Sequence, residues 1–250
     1  MQEGAVYSAL SGSLSLHRRL ETVANNLANA TTTGYKADRL DFTGVLSQAQ
    51  GEGQAREPGP GVIFPVMEGT RTDHGQGAIK STGRPLDFAI EGPGFFRVRL
   101  EGGETAYTRD GQFQLNSEGR LTDSEGRPVL GPEGQPLDPG SREVSVNKAG
   151  DLFVRGQDGP VGRLAVVRAE NPAQLEKQGD NLYRAPEDQM VEAEGARVRS
   201  GHLEQSNVNT MSEMVRMLDL QRSYQSMTKA MRTIDEAYSQ SGERLASPGR

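Results

Sequence analysis

The sequence predicts a mixed α+β fold, in which an all-β domain of short strands and hairpins is inserted between two long terminal helices that pair as a coiled coil. Apolar residues recur at helical spacing near both ends of the chain, whereas the middle alternates over short segments. The 31 glycines among 250 residues exceed the usual ~7% and favour tight turns between strands. We expect a helical domain from residues 1–35 and 206–250, and a β-rich domain from 78–205.

The first predicted helix covers residues 5–30. Its apolar and small residues step alternately by three and four positions, which is the heptad pattern of a coiled coil. Gly12 lies beside this seam and permits close approach of a second helix. The seam comprises Val6, Ala9, Ser13, Leu16, Leu20, Val23, Leu27 and Ala30.

The end of this helix carries three asparagines, Asn25, Asn26 and Asn29. Asparagine is a poor helix former because its amide competes for backbone hydrogen bonds. Three amides exceed what one helix end requires, and Asn25 and Asn29 share a helix face. We therefore expect them to bond neighbouring helices, with the segment Ser206–Asn209 as the favoured partner. The alternative is a frayed helix end with no partner.

The second predicted helix covers residues 208–240. Two overlapping signals mark its start, which are Asn209 as a cap and Thr210 with Glu213 as a capping box. Five of the eight methionines lie between residues 211 and 231, which indicates either adaptable seam packing or a groove for a partner. The predicted stripe comprises Met211, Met214, Leu218, Tyr224, Met227, Met231, Ile234 and Tyr238.

Between the helices, residues 36–77 read as an extended connection with a Gly/Pro linker at 51–61. From residue 78 onward, alternating apolar segments are separated by glycine turns. Three of these turns follow one plan, with Asx opening the turn and glycine closing it three residues later. They are residues 116–119, 123–126 and 147–150, and we predict hairpins at each.

Composition and motifs argue against several functions. The net charge of −6 and the lack of a basic stripe argue against a nucleic-acid-binding protein. Cysteine is absent, His17, His74 and His202 are isolated, and no nucleotide-binding or hydrolase motif occurs. We therefore expect no catalytic, cofactor-binding or metal-binding residues, and no enzyme activity. The sequence also predicts no membrane insertion and no cleaved signal peptide.

Several segments of the chain resemble the bacterial flagellar rod and hook proteins. The N-terminal run ANNLAN with TTGYK resembles the signature of that family, and four further segments follow in the family's order. Together they cover both termini and the middle of the chain. The segments are ANNLAN at 24–29 with TTGYK at 32–36, PLDFAI and GPGFF at 85–96, AYTRDG at 106–111, GHLEQSNVN at 201–209, and MV to QRSY at 214–224.

The resemblance implies a structural subunit of the flagellar basal-body rod. It implies export without a cleaved signal peptide through the flagellar type III apparatus, and helical assembly with copies of itself and other rod proteins in the periplasm. Surrounding basal-body rings are expected partners. The chain is more similar to the proximal than to the distal rod protein, which stays the alternative. A phage-tail or adhesin-like β-protein is a third reading.

The predicted assembly interface combines the helix seams with the asparagine-rich segments and the glycine that follows the first helix. It comprises Leu16, Leu20, Val23, Asn25, Asn26, Leu27, Asn29, Gly34, Ser206, Asn207, Val208, Asn209, Met214, Leu218, Tyr224 and Met231.

Overall fold

The chain folds into two compact units in a computed structural model that describes residues 2–47, 62–140 and 144–246. Unit 1 comprises Met1–Ala28, Asp38–Arg71 and Asn209–Arg250, and unit 2 comprises Asn29–Ala37 and Thr72–Val208. The backbone therefore passes between the units four times. The Gly/Pro linker predicted at 51–61 lies outside the described residues.

Unit 1 contains both long helices and a small sheet. Helix α1 spans Gln2–Ala28 and helix α2 spans Thr210–Ala246, close to the predicted 5–30 and 208–240. Strands β1 (Asp38–Ser47) and β2 (Val62–Thr72) pair with each other. The segment expected to be an extended connection thus contains a two-stranded sheet.

Helices α1 and α2 contact each other within unit 1. The methyl group of Met227 lies so close to Gly12 that a Cβ on residue 12 would be 2.7 Å from it. Further along, the rings of His17 and Tyr224 lie 6.4 Å apart. Gly12 therefore permits the close helix approach that the sequence predicted.

Helix α2 turns a different face inward from the one that the sequence predicted for its first half. Met217 and Leu220 are half-buried, whereas Met214 and Leu218 are 45% and 55% exposed. Apolar residues at 211, 214, 215, 217, 218 and 220 cover a wide arc of the helix. Only part of that arc can face α1, so periodicity alone did not select the buried side.

Unit 2 is built from short antiparallel strands. The largest sheet has six strands in the order β13-β14-β6-β5-β12-β15, a second has the order β11-β10-β9, and three pairs complete the unit, β16-β4, β17-β3 and β7-β8. The strands are β3 (Ile79–Ser81), β4 (Phe88–Glu91), β5 (Phe95–Arg99), β6 (Thr105–Thr108), β7 (Gln114–Leu115), β8 (Leu121–Thr122), β9 (Val144–Val146), β10 (Asp151–Val154), β11 (Gly162–Arg163), β12 (Val166–Ala169), β13 (Glu176–Gly179), β14 (Leu182–Arg184), β15 (Met190–Glu192), β16 (Arg197–Ser200) and β17 (His202–Glu204).

Two hydrophobic clusters stabilise unit 2. One contains Phe88, Phe96 and Leu152, and the other contains Phe95, Tyr107 and Tyr183. Neighbouring residues Phe95 and Phe96 on β5 point to opposite faces of the sheet, so one strand contributes to both clusters. This explains the uninterrupted apolar pair in the GPGFF segment.

The three predicted Asx turns are confirmed. In each, the side-chain oxygen of Asn116, Asp123 or Asn147 accepts a backbone N–H two residues later. The closing glycines have φ between 84° and 88°, which is the left-handed region that glycine adopts without steric cost. These turns close the hairpins of the middle of unit 2.

Candidate functional site

Asn26, one of the three asparagines of the cluster, joins two elements of unit 1. Its side chain is buried at 3% exposure. The Nδ2 group donates to the Asp38 carbonyl at 2.8 Å, and the Asp38 N–H donates to Asn26 Oδ1 at 2.9 Å. The amide thus pairs with the backbone at the start of β1 and fixes where that strand begins beside α1.

The other two asparagines have different surroundings. Asn25 is exposed, while Asn29 in unit 2 accepts a hydrogen bond from the Thr32 hydroxyl at 3.2 Å. Asn29 also accepts the Thr32 N–H through its carbonyl, which closes the turn after α1. The expected contacts of the three amides with residues 206–209 and with neighbouring chains stay predictions.

Replacing Asn26 with alanine should destabilise unit 1, although alanine is the better helix former. The change removes two hydrogen bonds and leaves the Asp38 N–H without its acceptor, at a cost of about 1–3 kcal/mol. Thermal unfolding of the full chain, followed by circular dichroism, measures this loss. The matched change Asn25→Ala, at an exposed neighbour, should cost less than Asn26→Ala. Equal effects of the two changes would contradict the role given to Asn26.

Asn207 joins three stretches of unit 2. Its Oδ1 accepts the Ala37 N–H at 2.8 Å, and its Nδ2 lies within donating distance of the carbonyls of Asp73 (2.8 Å) and Gly75 (3.0 Å). Its backbone N–H donates to Tyr35. The Asn207 amide is therefore directed at residues 35–37 and 73–75 of the same chain.

Asn209 caps helix α2. Its Oδ1 accepts the Ser212 N–H at 3.0 Å, so the first of the two predicted cap signals is the one the structure uses. Glu213, the second residue of the predicted capping box, instead forms an ion pair with Arg216 at 2.7 Å. Ser206 accepts the Val208 N–H through its hydroxyl at 3.2 Å, which orders the chain before the helix.

A buried ionic cluster lies beside Asn207 in unit 2, and no sequence pattern predicted it. The Glu204 carboxylate accepts from Lys36 Nζ and from Arg109 Nε, both at 2.6 Å, and from the Gly77 N–H at 2.8 Å. The side chains of Lys36 and Glu204 are each 1% exposed, and that of Arg109 is 4% exposed. Charged groups buried this deeply occur where they are paired.

Both cations also donate to backbone carbonyls. Arg109 donates to the carbonyls of Gly92 at 2.6 Å and Ile90 at 3.2 Å, and to that of Gly94. Lys36 donates to the carbonyl of Gly75 at 2.7 Å. Burial lowers the pKa of the Lys36 ammonium, an effect that Glu204 opposes. Burial, together with the charge of Lys36, also lowers the pKa of nearby His74.

Gly34 approaches the same cluster through its backbone. It has φ of 68°, and its N–H donates to the Glu204 carbonyl at 2.8 Å. A Cβ on residue 34 would lie 2.5 Å from the Arg109 carbonyl carbon and the Asp110 nitrogen. Both the left-handed conformation and the close approach therefore require glycine.

The predicted helix-seam residues divide by exposure in unit 1. On α1, Val23 is buried and Leu16, Leu20 and Leu27 are half-buried. On α2, Met231 is half-buried, whereas Met214, Leu218 and Tyr224 are exposed. Exposed Met211, Val215, Leu10 and Leu14 extend the apolar surface of the two helices. Both helices of unit 1 therefore carry exposed large apolar side chains.

Three family models match the chain. The model described as flagella basal body rod protein matches residues 7–36, the flagellar hook protein FlgE/F/G D1 domain matches 89–154, and the flagellar basal body rod FlgEFG protein C-terminal region matches 199–242. These regions contain the asparagine cluster, Lys36, Arg109, Glu204 and Asn207.

Relatives match along almost the whole chain. The flagellar basal-body rod protein FlgF of Caulobacter vibrioides is 37% identical over 97% of this chain and 98% of its own length. The chain belongs to the flagellar basal-body rod protein family. The FlgF protein of Mesorhizobium japonicum is 33% identical over 92% of both chains, and the FlgG protein of Bacillus subtilis is 34% identical over 93% of this chain and 95% of its own.

The members of this family are structural rod proteins and not enzymes. The buried charges of unit 2 are therefore assigned a structural role rather than a catalytic one. Among the described residues, neither helix is long and apolar enough to span a bilayer. The phage-tail and adhesin-like reading is set aside, because the Asn and SNVN segments lie inside matched regions.

Asp110, which follows Arg109, makes the stability of the chain depend on pH. Burial raises its pKa from 3.8 to about 6, and the charges of Glu125, Asp123 and Asp87 add to that rise. Between pH 3.8 and about 6, Asp110 is therefore protonated in the folded chain and ionised in the unfolded chain. The stability associated with protonated Asp110 is complete below about pH 3.8 and is lost as the pH rises through about 6.

We therefore expect Asp110→Asn to stabilise the chain at pH 7.5 but not at pH 3.5. Asparagine keeps the oxygen that accepts the Gln112 N–H at 3.0 Å and carries no charge to desolvate. The melting temperature at pH 7.5 should rise by a few degrees, at about 2–4 °C per kcal/mol for a chain of this size. Asp188→Asn, at an exposed position, is the control. A gain of equal size at both pH values would contradict this assignment.

Proposed function

We propose that this chain is a structural subunit of the flagellar basal-body rod and builds its proximal part. The observation that carries the proposal is the 37% identity to a FlgF protein over 97% of this chain. The FlgF name corresponds to the proximal rod. The exposed apolar residues of α1 and α2 support it, because a monomer leaves that surface in water whereas an assembly covers it.

In this role the two helices pair as a coiled coil and contact neighbouring subunits along the predicted interface. The alternating seam of α1 and the close contact at Gly12 support such pairing. The partners are other copies of this chain and other rod proteins in a helical assembly. The chain reaches the periplasm through the flagellar type III apparatus without a cleaved signal peptide, and basal-body rings surround the finished rod.

Deleting the gene tests the structural role. We expect non-motile cells whose basal bodies, viewed by electron microscopy, lack a complete rod, and we expect the native gene on a plasmid to restore both features. Motile cells with complete rods would contradict the proposal. Because the phenotype is scored on the basal body itself, a defect in the filament alone would also count against it.

The distal rod is the second candidate position, since relatives named FlgG also match along most of the chain. An epitope tag in the exposed loop at Asp158 of unit 2 distinguishes the two. Label at the inner-membrane end of the rod in purified basal bodies supports the proximal position. Label at the hook end supports the distal position and contradicts the proximal one.

A further inference from the structure

Three segments of unit 2 that lie next to a boundary with unit 1 in the chain meet at the buried ionic cluster. They are residues 34–37, 73–77 and 204–207, each of which lies within five residues of a point where the chain passes between the two units. Backbone hydrogen bonds connect them in pairs. Gly34 donates to Glu204 and Asp73 donates to Ala37, both at 2.8 Å, while Gln205 donates to Ala78 at 2.8 Å.

The charges of the cluster make its members depend on one another. Two cations, Lys36 and Arg109, share one anion, Glu204. Burying a cation is unfavourable unless an anion compensates it, and two uncompensated cations would also repel each other. Removal of Glu204 therefore takes away the anion that bonds both cations, and leaves Lys36 only the weaker effect of the Asp73 charge. Removal of Lys36 leaves the pair Arg109–Glu204 balanced, but takes away the bonds from segment 34–37 to Glu204 and to Gly75.

We propose that Lys36, Arg109 and Glu204 form a cooperative latch that fixes the segments 34–37, 73–77 and 204–207 as one body. Each segment contributes groups that the other two need, so none of them detaches alone. The Glu204 carboxylate belongs to one segment and bonds both others, through Lys36 and the Gly77 N–H. Asn207 repeats this arrangement with neutral groups, bonding Ala37, Asp73 and Gly75.

The consequence for a rod subunit rests on the proposed function. In the rod, the latch would distribute mechanical load over all three segments. The latch itself is a property of the single chain. It is therefore tested on purified protein, where its failure says nothing about the role in the flagellum.

The test is amide hydrogen exchange of the full-length chain. Five backbone amides each donate a hydrogen bond from one of the three segments to another, and their exchange reports whether the segments stay joined. They are the amides of Gly34, Ala37, Asp73, Gly77 and Asn207. In Lys36→Met, which keeps the aliphatic volume and the Arg109–Glu204 pair, we expect exchange to rise about tenfold or more at the reporters in all three segments. A rise confined to residues 34–37 would overturn the proposal.

A second pair of variants tests the charge argument. Glu204→Gln removes the carboxylate that bonds both cations and should accelerate exchange at the reporters more than Lys36→Met does. Adding Lys36→Met to Glu204→Gln removes one of these cations, so the double variant should exchange more slowly than Glu204→Gln alone. Exchange in the double variant equal to the product of the two single effects would overturn the latch, because the two residues would then act independently.

Glu104→Gln is the matched control. Glu104 also pairs with an arginine in unit 2, Arg184 at 3.0 Å, but both side chains are about half exposed. Its loss should leave the five reporter amides unchanged. If Glu204→Gln does not fold, the Lys36→Met arm decides alone, since that variant keeps a balanced ion pair in the core.

Discussion

Replacing Gly34 with alanine should greatly lower the free energy of unfolding of the chain. The new Cβ would lie 2.5 Å from backbone atoms of Arg109 and Asp110, closer than carbon approaches such atoms in folded proteins. Backbone cannot move aside as a flexible side chain can. Either the Gly34 N–H gives up its bond to Glu204, or the strand end that carries Arg109 shifts away from its partners.

Gly83→Ala separates the two causes of this effect. Gly83 has nearly the same φ, 73° against 68° for Gly34, but a Cβ there meets no atom within 4 Å. Its substitution therefore reports conformational strain alone, at about 1–2 kcal/mol. We expect Gly34→Ala to lower the free energy of unfolding by about 4 kcal/mol or more, a loss typical of steric overlap or of a broken buried hydrogen-bond network. Chemical unfolding of both purified variants measures the difference, and equal losses would contradict the close approach at Gly34.

The parts of the fold that depend on local sequence were predictable. Helix α1 followed from a heptad pattern, and the hairpins at Asn116, Asp123 and Asn147 followed from an Asx residue three positions before a glycine. In each case the residues that determine the structure lie within one turn or one short segment. Elements that depend on residues close together in the sequence were therefore predicted, whereas those that depend on distant residues were not.

The buried ionic cluster was not predictable in this way. Lys36 and Glu204 are 168 residues apart, and Arg109 and Glu204 are 95 apart. Each is an ordinary charged residue in a polar segment, and neither spacing nor periodicity marks it as buried. All three lie inside segments that resemble the family, so the resemblance pointed to their positions but not to their mutual contact.

The asparagine cluster shows an intermediate case. Its excess of amides indicated bonds beyond a helix cap, and Asn26 does bond the backbone at a second element, the start of β1. The partner was unpredictable because the pairing of β1 with β2 was itself missed behind the Gly/Pro run. In helix α2, six apolar residues between 211 and 220 left the inward face undetermined until α1 was in place.

The helix seam can be tested by placing a charge in it. Leu20 is half-buried on α1 in the single chain, and the proposed assembly would cover it further. We expect Leu20→Asp to abolish rod assembly while unit 2 stays folded, because Leu20 lies in unit 1. The change loses the burial of a leucine, about 1.5–3 kcal/mol, and adds a carboxylate without a partner in an apolar contact. That penalty recurs at every subunit of a repeating structure.

The measurement combines two readouts in cells that lack the native gene. Basal bodies seen by electron microscopy report assembly, and thermal unfolding of the purified variant reports whether the unit 2 transition persists. Arg18→Asp introduces the same residue two positions away, at an exposed site on the same helix, and should assemble. Normal rods with Leu20→Asp would show that the heptad seam is not an interface. Loss of the unit 2 transition would show instead that the charge acts on folding, because a seam that serves assembly leaves the β-rich unit intact.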